Sequence, residues 1–263
     1  MNPPLLVDRE DAIATLTLNR PDSLNALDPA MIDALSIETR ALAADRTIRC
    51  VVIRGAGGHF MVGGDIRHFA ALVDAAPAER QRSLDELIAR VHPTIETLHR
   101  MPQPVLASVH GAVAGFGLSL LCACDLAIAA ESAYFTAAYR QLGLTPDGGL
   151  SYALPRLVGS KKAMELLLLA ERFDSREALR LGLVNRLVPD GELQAATAAM
   201  ARSLASGPDL ATRNAKRLLR QSLAQPLSVQ LDAEAASFGA CAATEDFVEG
   251  VRAFLAKRAP HFL

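Results

Sequence analysis

The run His110-Gly111-Ala112-Val113-Ala114-Gly115-Phe116-Gly117-Leu118-Ser119 offers chemistry through its main chain more than through its side chains. It carries three glycines and leads into an apolar segment that stops at Cys124-Asp125. Residues without a Cβ let backbone amides approach a ligand closely. A helix that begins here directs its unpaired N–H groups and the positive end of its dipole at one point. Such a point suits an anion, or an oxygen that becomes anionic during a reaction. The same glycine density also serves the close packing of a buried helix, and the residues alone leave both readings open.

The elements that position this run follow from periodicity. Alternation at Ala12, Ala14, Leu16 and Leu18 predicts an early strand. Asp28-Pro29 reads as an N-cap with proline in the first turn, opening a helix to about Ala44. Cys50 to Ile53 and Val105 to Val109 are apolar runs suited to strands buried on both faces of a parallel sheet. Leu126 to Ala129 and Tyr134 to Thr136 are further strands, and Pro77 to His99 is helical. From Lys161 onward the pattern is mostly helical: Ala163 to Ala170, Arg176 to Leu181, Glu192 to Ala205, Asp209 to Ala224, Val229 to Cys241 and Phe247 to Lys257. Alternating strands and helices predict right-handed crossovers in an α/β core over residues 1–190, with a helical C-terminal region over 191–263.

Composition narrows the function classes. The 263 residues are 51% hydrophobic and 21% charged, which describes a globular chain. A net charge of −2, without a long basic run, argues against nucleic acid. Cys50, Cys122, Cys124 and Cys241 have no disulfide or zinc spacing and read as core thiols of a reducing compartment. The histidines show no metal-ligand spacing, so no metal is expected. Nothing at the N-terminus has the basic-then-apolar form of a secretory signal, and a cytoplasmic location is expected. Pro104 to Cys124 has no Lys, Arg, Asp or Glu, but its glycines and His110 fit a buried strand and helix better than a membrane span.

Four segments together carry a family resemblance: Asn19-Arg20-Pro21 through Asn25-Ala26-Leu27; Phe60-Met61-Val62-Gly63-Gly64-Asp65-Ile66; the glycine run; and Leu142 through Gly149 continuing to Leu154-Pro155-Arg156-Leu157-Val158-Gly159. In this order they resemble the crotonase, or enoyl-CoA hydratase/isomerase, superfamily. The resemblance extends through Ala178 to Asn185 and the tail Phe254 to Arg258. It implies a crotonase-like spiral of ββα units with a helical C-terminal trimerisation part, and trimers that commonly pair into hexamers. It also implies an acyl-CoA thioester as substrate and no cofactor beyond the coenzyme A that the substrate carries.

The family's shared chemistry, a thioester enolate held by two backbone N–H groups, maps onto Gly64 and Phe116. Phe116 stands where the family usually has a glycine, which costs little because the donor is main chain. Coenzyme A is expected along Leu24, Asn25 and Ala26 and along Gly63, Gly64, Asp65 and Ile66, with Phe254 and Lys257 completing the nucleotide site. Hydratases of the family resemble one another in two glutamates that orient and activate water, and here those positions hold Ser119 and Tyr139. Asp147 matches a catalytic aspartate of ring-epoxide isomerases and of 4-chlorobenzoyl-CoA dehalogenase; His92 corresponds to the latter's catalytic histidine. Each residue also has a plain structural reading: an Asx turn for Asp147, a surface position for His92, pocket wall for Tyr139, and for Ser119 a hydroxyl bonding back to its helix. The resulting expectation is an acyl-CoA isomerase with Asp147 as acid/base. The alternatives are a hydrolytic dehalogenase using Asp147 and His92, a hydratase with relocated acids, and a non-catalytic acyl-CoA binder.

Overall fold

The computed structural model describes residues 2–262. The chain opens with a hairpin of β1 (Leu5–Glu10) and β2 (Ile13–Leu18). Helix α1 (Pro29–Ala44) starts where the Asp28 carboxylate accepts the Met31 amide at 2.8 Å, with Pro29 in the first turn. There follow β3 (Cys50–Gly55), the single turn α2 (Ile66–Ala70), the long α3 (Pro77–Arg100), β4 (Val105–Val109), β5 (Ala112–Ala114) and α4 (Phe116–Ala123). Next come β6 (Leu126–Ala130), β7 (Tyr134–Thr136), α5 (Leu150–Val158), α6 (Ser160–Leu169), β8 (Phe173–Asp174), α7 (Ser175–Arg180) and β9 (Arg186–Val188). Four helices complete the chain: α8 (Leu193–Ala205), α9 (Asp209–Ser222), α10 (Leu227–Ala242) and α11 (Glu245–Leu255).

The six-stranded sheet has the order β1-β2-β3-β4-β6-β9, with β1 antiparallel to β2 and every other pair parallel. A smaller sheet, β5-β7-β8, stands beside it. Strand periodicity divides the core in two. Val51, Ile53, Val105, Ala107, Ala127 and Ala129 face the main cluster shared with α1, α3 and α4. Cys50, Val52, Leu106, Ile128 and Ala130 face the opposite way, onto Leu193, Ala201 and Ala205 of α8. The C-terminal region therefore begins by covering the back of the sheet.

Several elements lie outside the sequence reading. β1 carries Asp8, Arg9 and Glu10 because it is an edge strand whose far half is exposed. β5, β8 and β9 are two or three residues long, too short to show a period. α5 contains Pro155, a residue that weakens a helical pattern. α9 is fixed to the core through Asp125. That carboxylate accepts the Val105 amide at 2.8 Å and pairs with Lys216 at 2.7 Å and Arg220 at 2.8 Å. Among the described residues, no helix is long and apolar enough to cross a membrane.

Candidate active site

Two segments distant in sequence run side by side along the first half of the glycine run. The Phe60 amide donates to the His110 carbonyl at 2.9 Å, the Met61 amide to Ala112 at 3.2 Å, and the Ala114 amide to Met61 at 2.9 Å. The chains then meet through glycine. Gly63 has φ +105°, and a side chain there would come within 3.3 Å of the Phe116 nitrogen. Gly115, at φ +50°, faces the Gly63 Cα. The next residue on each strand is the one singled out from the sequence, Gly64 and Phe116. Bonds from the Leu27 amide to the Gly63 carbonyl (2.7 Å) and from the Asp65 amide to Leu27 (2.9 Å) hold Gly64 in place. Among the described residues, neither the Gly64 nor the Phe116 N–H donates to a protein acceptor. Phe116 is the first residue of α4, whose eight residues are all buried, so its amide has no partner within the helix.

The loop ahead of α5 brings a carboxyl to the same place. Gly148, at φ +54°, lets this loop press onto α4: a Cβ there would lie 2.7 Å from the Phe116 ring and 2.9 Å from the Ser119 Cβ. Asp147 Oδ1 accepts a hydrogen bond from the Tyr139 hydroxyl at 2.5 Å. The Ser119 hydroxyl lies 2.8 Å from the Tyr139 hydroxyl and donates to the Asp147 carbonyl at 3.0 Å. Burial raises the Asp147 carboxyl above the ordinary carboxylate range; the Tyr139 hydrogen bond and the nearby His92 oppose that shift. Burial, reinforced by the Asp147 charge, pushes the Tyr139 phenol upward in turn.

A cavity of about 700 Å³ unites these groups. Gly63, Gly64, Ile66, Phe116, Tyr139, Asp147 and His92 line it, with Phe69 and the apolar face of α3 forming the far wall. Ser119 lies behind Tyr139, only 1% exposed. The Ser119 hydroxyl does not bond back to its helix, as the plain reading expected, because Tyr139 and Asp147 supply its partners. Nor does Asp147 form an Asx turn; its side chain reaches Tyr139.

The other coenzyme A candidates do not line this cavity. Asn25, fully buried, donates to the Ala56 and His59 carbonyls and accepts from the Arg20 amide. The Ala26 carbonyl already accepts from the Arg20 guanidinium. Asp65 caps α2 and pairs with Arg20 at 2.8 Å. Leu24 is partly exposed beside them, whereas Phe254 (84% exposed) and Lys257 sit at the end of α11. The sequence reading missed Arg20, which bridges Asp28 and Asp65 and so ties the first motif to the second. It also missed the joining of Ser119, Tyr139 and Asp147. The available signal was that Ser119 and Tyr139 occupy the two glutamate positions of the resembled hydratases.

With this geometry established, comparison with known proteins is specific. The profile of the enoyl-CoA hydratase/isomerase family matches residues 8–263. A Rhodobacter capsulatus protein described as a probable enoyl-CoA hydratase is 40% identical over 253 residues, covering 96% of this chain and 95% of its own. The 1,2-epoxyphenylacetyl-CoA isomerase of Escherichia coli is 35% identical over 254 residues, with 96% and 95% covered. The crystal structure of an enoyl-CoA hydratase from Mycobacterium smegmatis superposes with a TM-score of 0.91 at 33% identity, covering 99% of both chains. The chain belongs to the enoyl-CoA hydratase/isomerase family, an acyl-CoA enzyme built on the crotonase fold.

Proposed function

We propose that this enzyme is an acyl-CoA isomerase, shifting a double bond or rearranging a ring by moving a proton between carbons. The observation that carries this reading is one half-buried carboxyl, Asp147, sharing a cavity with the Gly64 and Phe116 amides, which have no protein acceptor among the described residues. The thioester oxygen is placed on those amides. Asp147 takes a proton from one carbon of the acyl chain, the amides hold the enolate, and Asp147 returns the proton to another carbon. One carboxylate is enough because no water has to be oriented. Hydration needs a group to activate water and another to protonate carbon, and Ser119 and Tyr139 stand where the family's hydratases carry glutamates. The relatives are mostly named hydratases, one at 40% identity, beside an isomerase at 35%, so this reading rests on the residues and not on the relatives' names.

Coenzyme A is assigned to the segments Leu24 to Ala26 and Gly63 to Ile66, where Leu24 and Ile66 are exposed over the buried Asn25, Ala26 and Asp65, with Lys257 near a phosphate. The exposed apolar face of the C-terminal helices supports a homotrimer, alone or paired into a hexamer. The test of the reaction is to incubate the protein with a panel of enoyl-, epoxyphenylacetyl- and chlorobenzoyl-CoA esters in deuterated water, following product mass. Asp147→Asn keeps the shape and removes the base, so isomer formation should fall by at least about a hundredfold. Undiminished isomerisation by that variant would sink the assignment.

A dehalogenase-like reading has one observation in its favour: His92 lines the same cavity as Asp147. There Asp147 would attack a halogen-bearing aromatic carbon, the halide would leave, and water attacking the carboxyl carbon of the resulting aryl ester would release the hydroxylated product and regenerate the carboxylate. Oxygen-18 entering the Asp147 carboxyl after a single turnover in labelled water would establish that course in place of isomerisation.

A further inference from the structure

Three oxygen contacts around Asp147 form a closed circuit: Tyr139 to Asp147 Oδ1, Ser119 to Tyr139, and Ser119 to the Asp147 carbonyl. Among the described residues, the one further group facing either hydroxyl is the Asp147 backbone N–H, a donor to the phenol oxygen whichever form the carboxyl takes, and Ser119 and Tyr139 are 1% and 9% exposed. The proton count in the circuit depends on the carboxyl. Each hydroxyl donates one proton, and a carboxylate donates none. With Asp147 ionised, Tyr139 must donate to Oδ1, and the one Ser119 proton serves either the phenol or the carbonyl. That is two protons for three contacts. With the proton on Oδ1, the carboxyl donates to Tyr139, Tyr139 to Ser119, and Ser119 to the carbonyl. Every contact is then filled, all in one rotational sense.

We propose that Tyr139 and Ser119 are positioning residues that reverse the direction of their hydroxyl hydrogen bonds when Asp147 gains a proton, holding the carboxyl in one place through both halves of a proton shuttle. The inference rests on Asp147 being the acid/base. In the first half a substrate C–H bond breaks, an O–H bond forms on Asp147, and the electron pair passes into the thioester enolate. In the second half that O–H bond breaks and a C–H bond forms at another carbon. The two hydroxyls rotate and keep their own protons. The remaining titratable groups lining the cavity are Asp85 and His92, both from α3.

The circuit makes different predictions for its two hydroxyls. Tyr139→Phe takes from the ionised form the one side-chain donor that the described residues give the carboxylate, a charge-assisted bond about twice as strong as a neutral one, and takes two neutral bonds from the protonated form. The two losses offset, and the Asp147 pKa should move little. Ser119→Ala takes two of three bonds from the protonated form and one of two from the ionised form, so the pKa should fall. Ser119→Cys, which keeps a weak donor and acceptor in place, should restore it toward wild type. The reading is the isotope-edited carboxyl infrared band of the full-length enzyme labelled with ¹³C-aspartate, assigned by its loss in Asp147→Asn. The acid limb of kcat should move with it while KM changes little. An Asp147 pKa that does not fall in correctly folded Ser119→Ala, or that falls as far in Tyr139→Phe, would overturn the proposal. A band that shifts as expected beside a kcat profile that does not follow would keep the circuit and remove Asp147 from the acid/base role.

Discussion

At the scale of the residue, Asp147 couples activity to instability. Its carboxyl pKa is raised in the folded protein by burial. The folded state therefore binds more protons than the unfolded chain between the ordinary carboxyl pKa and the raised one, and stability falls as pH rises through that window. Two outcomes follow. Turnover is expected to decline as pH is lowered through the folded pKa, where the base becomes protonated, as a pH-rate profile will show. Asp147→Asn, although nearly inactive, is expected to melt no lower than wild type at neutral pH, and the difference should shrink below the ordinary carboxyl range. Thermal melts across pH check the sign, and a variant clearly less stable at pH 7 would contradict it. The amide-bearing residues Gly64 and Phe116 were legible because the family resemblance places the two donors there, and glycine density in the 110–119 run marks main-chain approach. The partnership of Ser119, Tyr139 and Asp147 was not, since no periodicity relates residues 20 and 8 positions apart on a helix, a 3-10 turn and a loop.

At the scale of the element, the strongest single clamp is the carboxylate of Asp125 at the start of β6. It joins the β4 backbone to α9, and Lys216, 8% exposed, also donates to the Gln103 and Leu98 carbonyls. Burial lowers the Lys216 pKa, and the Asp125 charge opposes that shift. Asp125→Ala leaves this ammonium buried without its counter-charge and is expected to cost about 3 kcal/mol, measured by urea unfolding. Asp28→Ala removes the cap of α1 together with the part-exposed ion pair to Arg20 and should cost about 1–2 kcal/mol. That cap was readable because Asp28-Pro29 combines a side-chain acceptor with a fixed φ. The same logic failed at α5, which starts from Gly149 at φ +74° without a capping side chain, and at β1, where exposure of an edge strand erased the apolar alternation. β3, β4 and β6 were legible because burial on both faces writes a continuous apolar run.

At the scale of the whole molecule, α9 to α11 leave Leu219, Leu223, Leu227, Phe238, Phe254 and Leu255 largely exposed. Apolar surface of this extent marks an interface, and analytical ultracentrifugation is expected to find trimers or hexamers; a monodisperse monomer would exclude the proposed assembly. Lys257→Glu should weaken coenzyme A binding in calorimetry, with the loss reduced by added salt, and unchanged affinity would remove Lys257 from the nucleotide site. The fold legible from sequence was the parallel core and its helical tail; the resemblance paired Gly64 with Phe116, and the backbone bonds that join residues 60–61 to 110–114 appeared only in three dimensions. That contact bears on descent. The two amides it aligns are set by the glycines at 63 and 115, with their positive φ angles, and not by a functional side chain. On the proposed role of these amides, a duplicated gene can exchange Asp147, Ser119 or Tyr139 one codon at a time while the thioester oxygen keeps its place, so new reactions can arise on this scaffold without passing through a form that has lost its substrate.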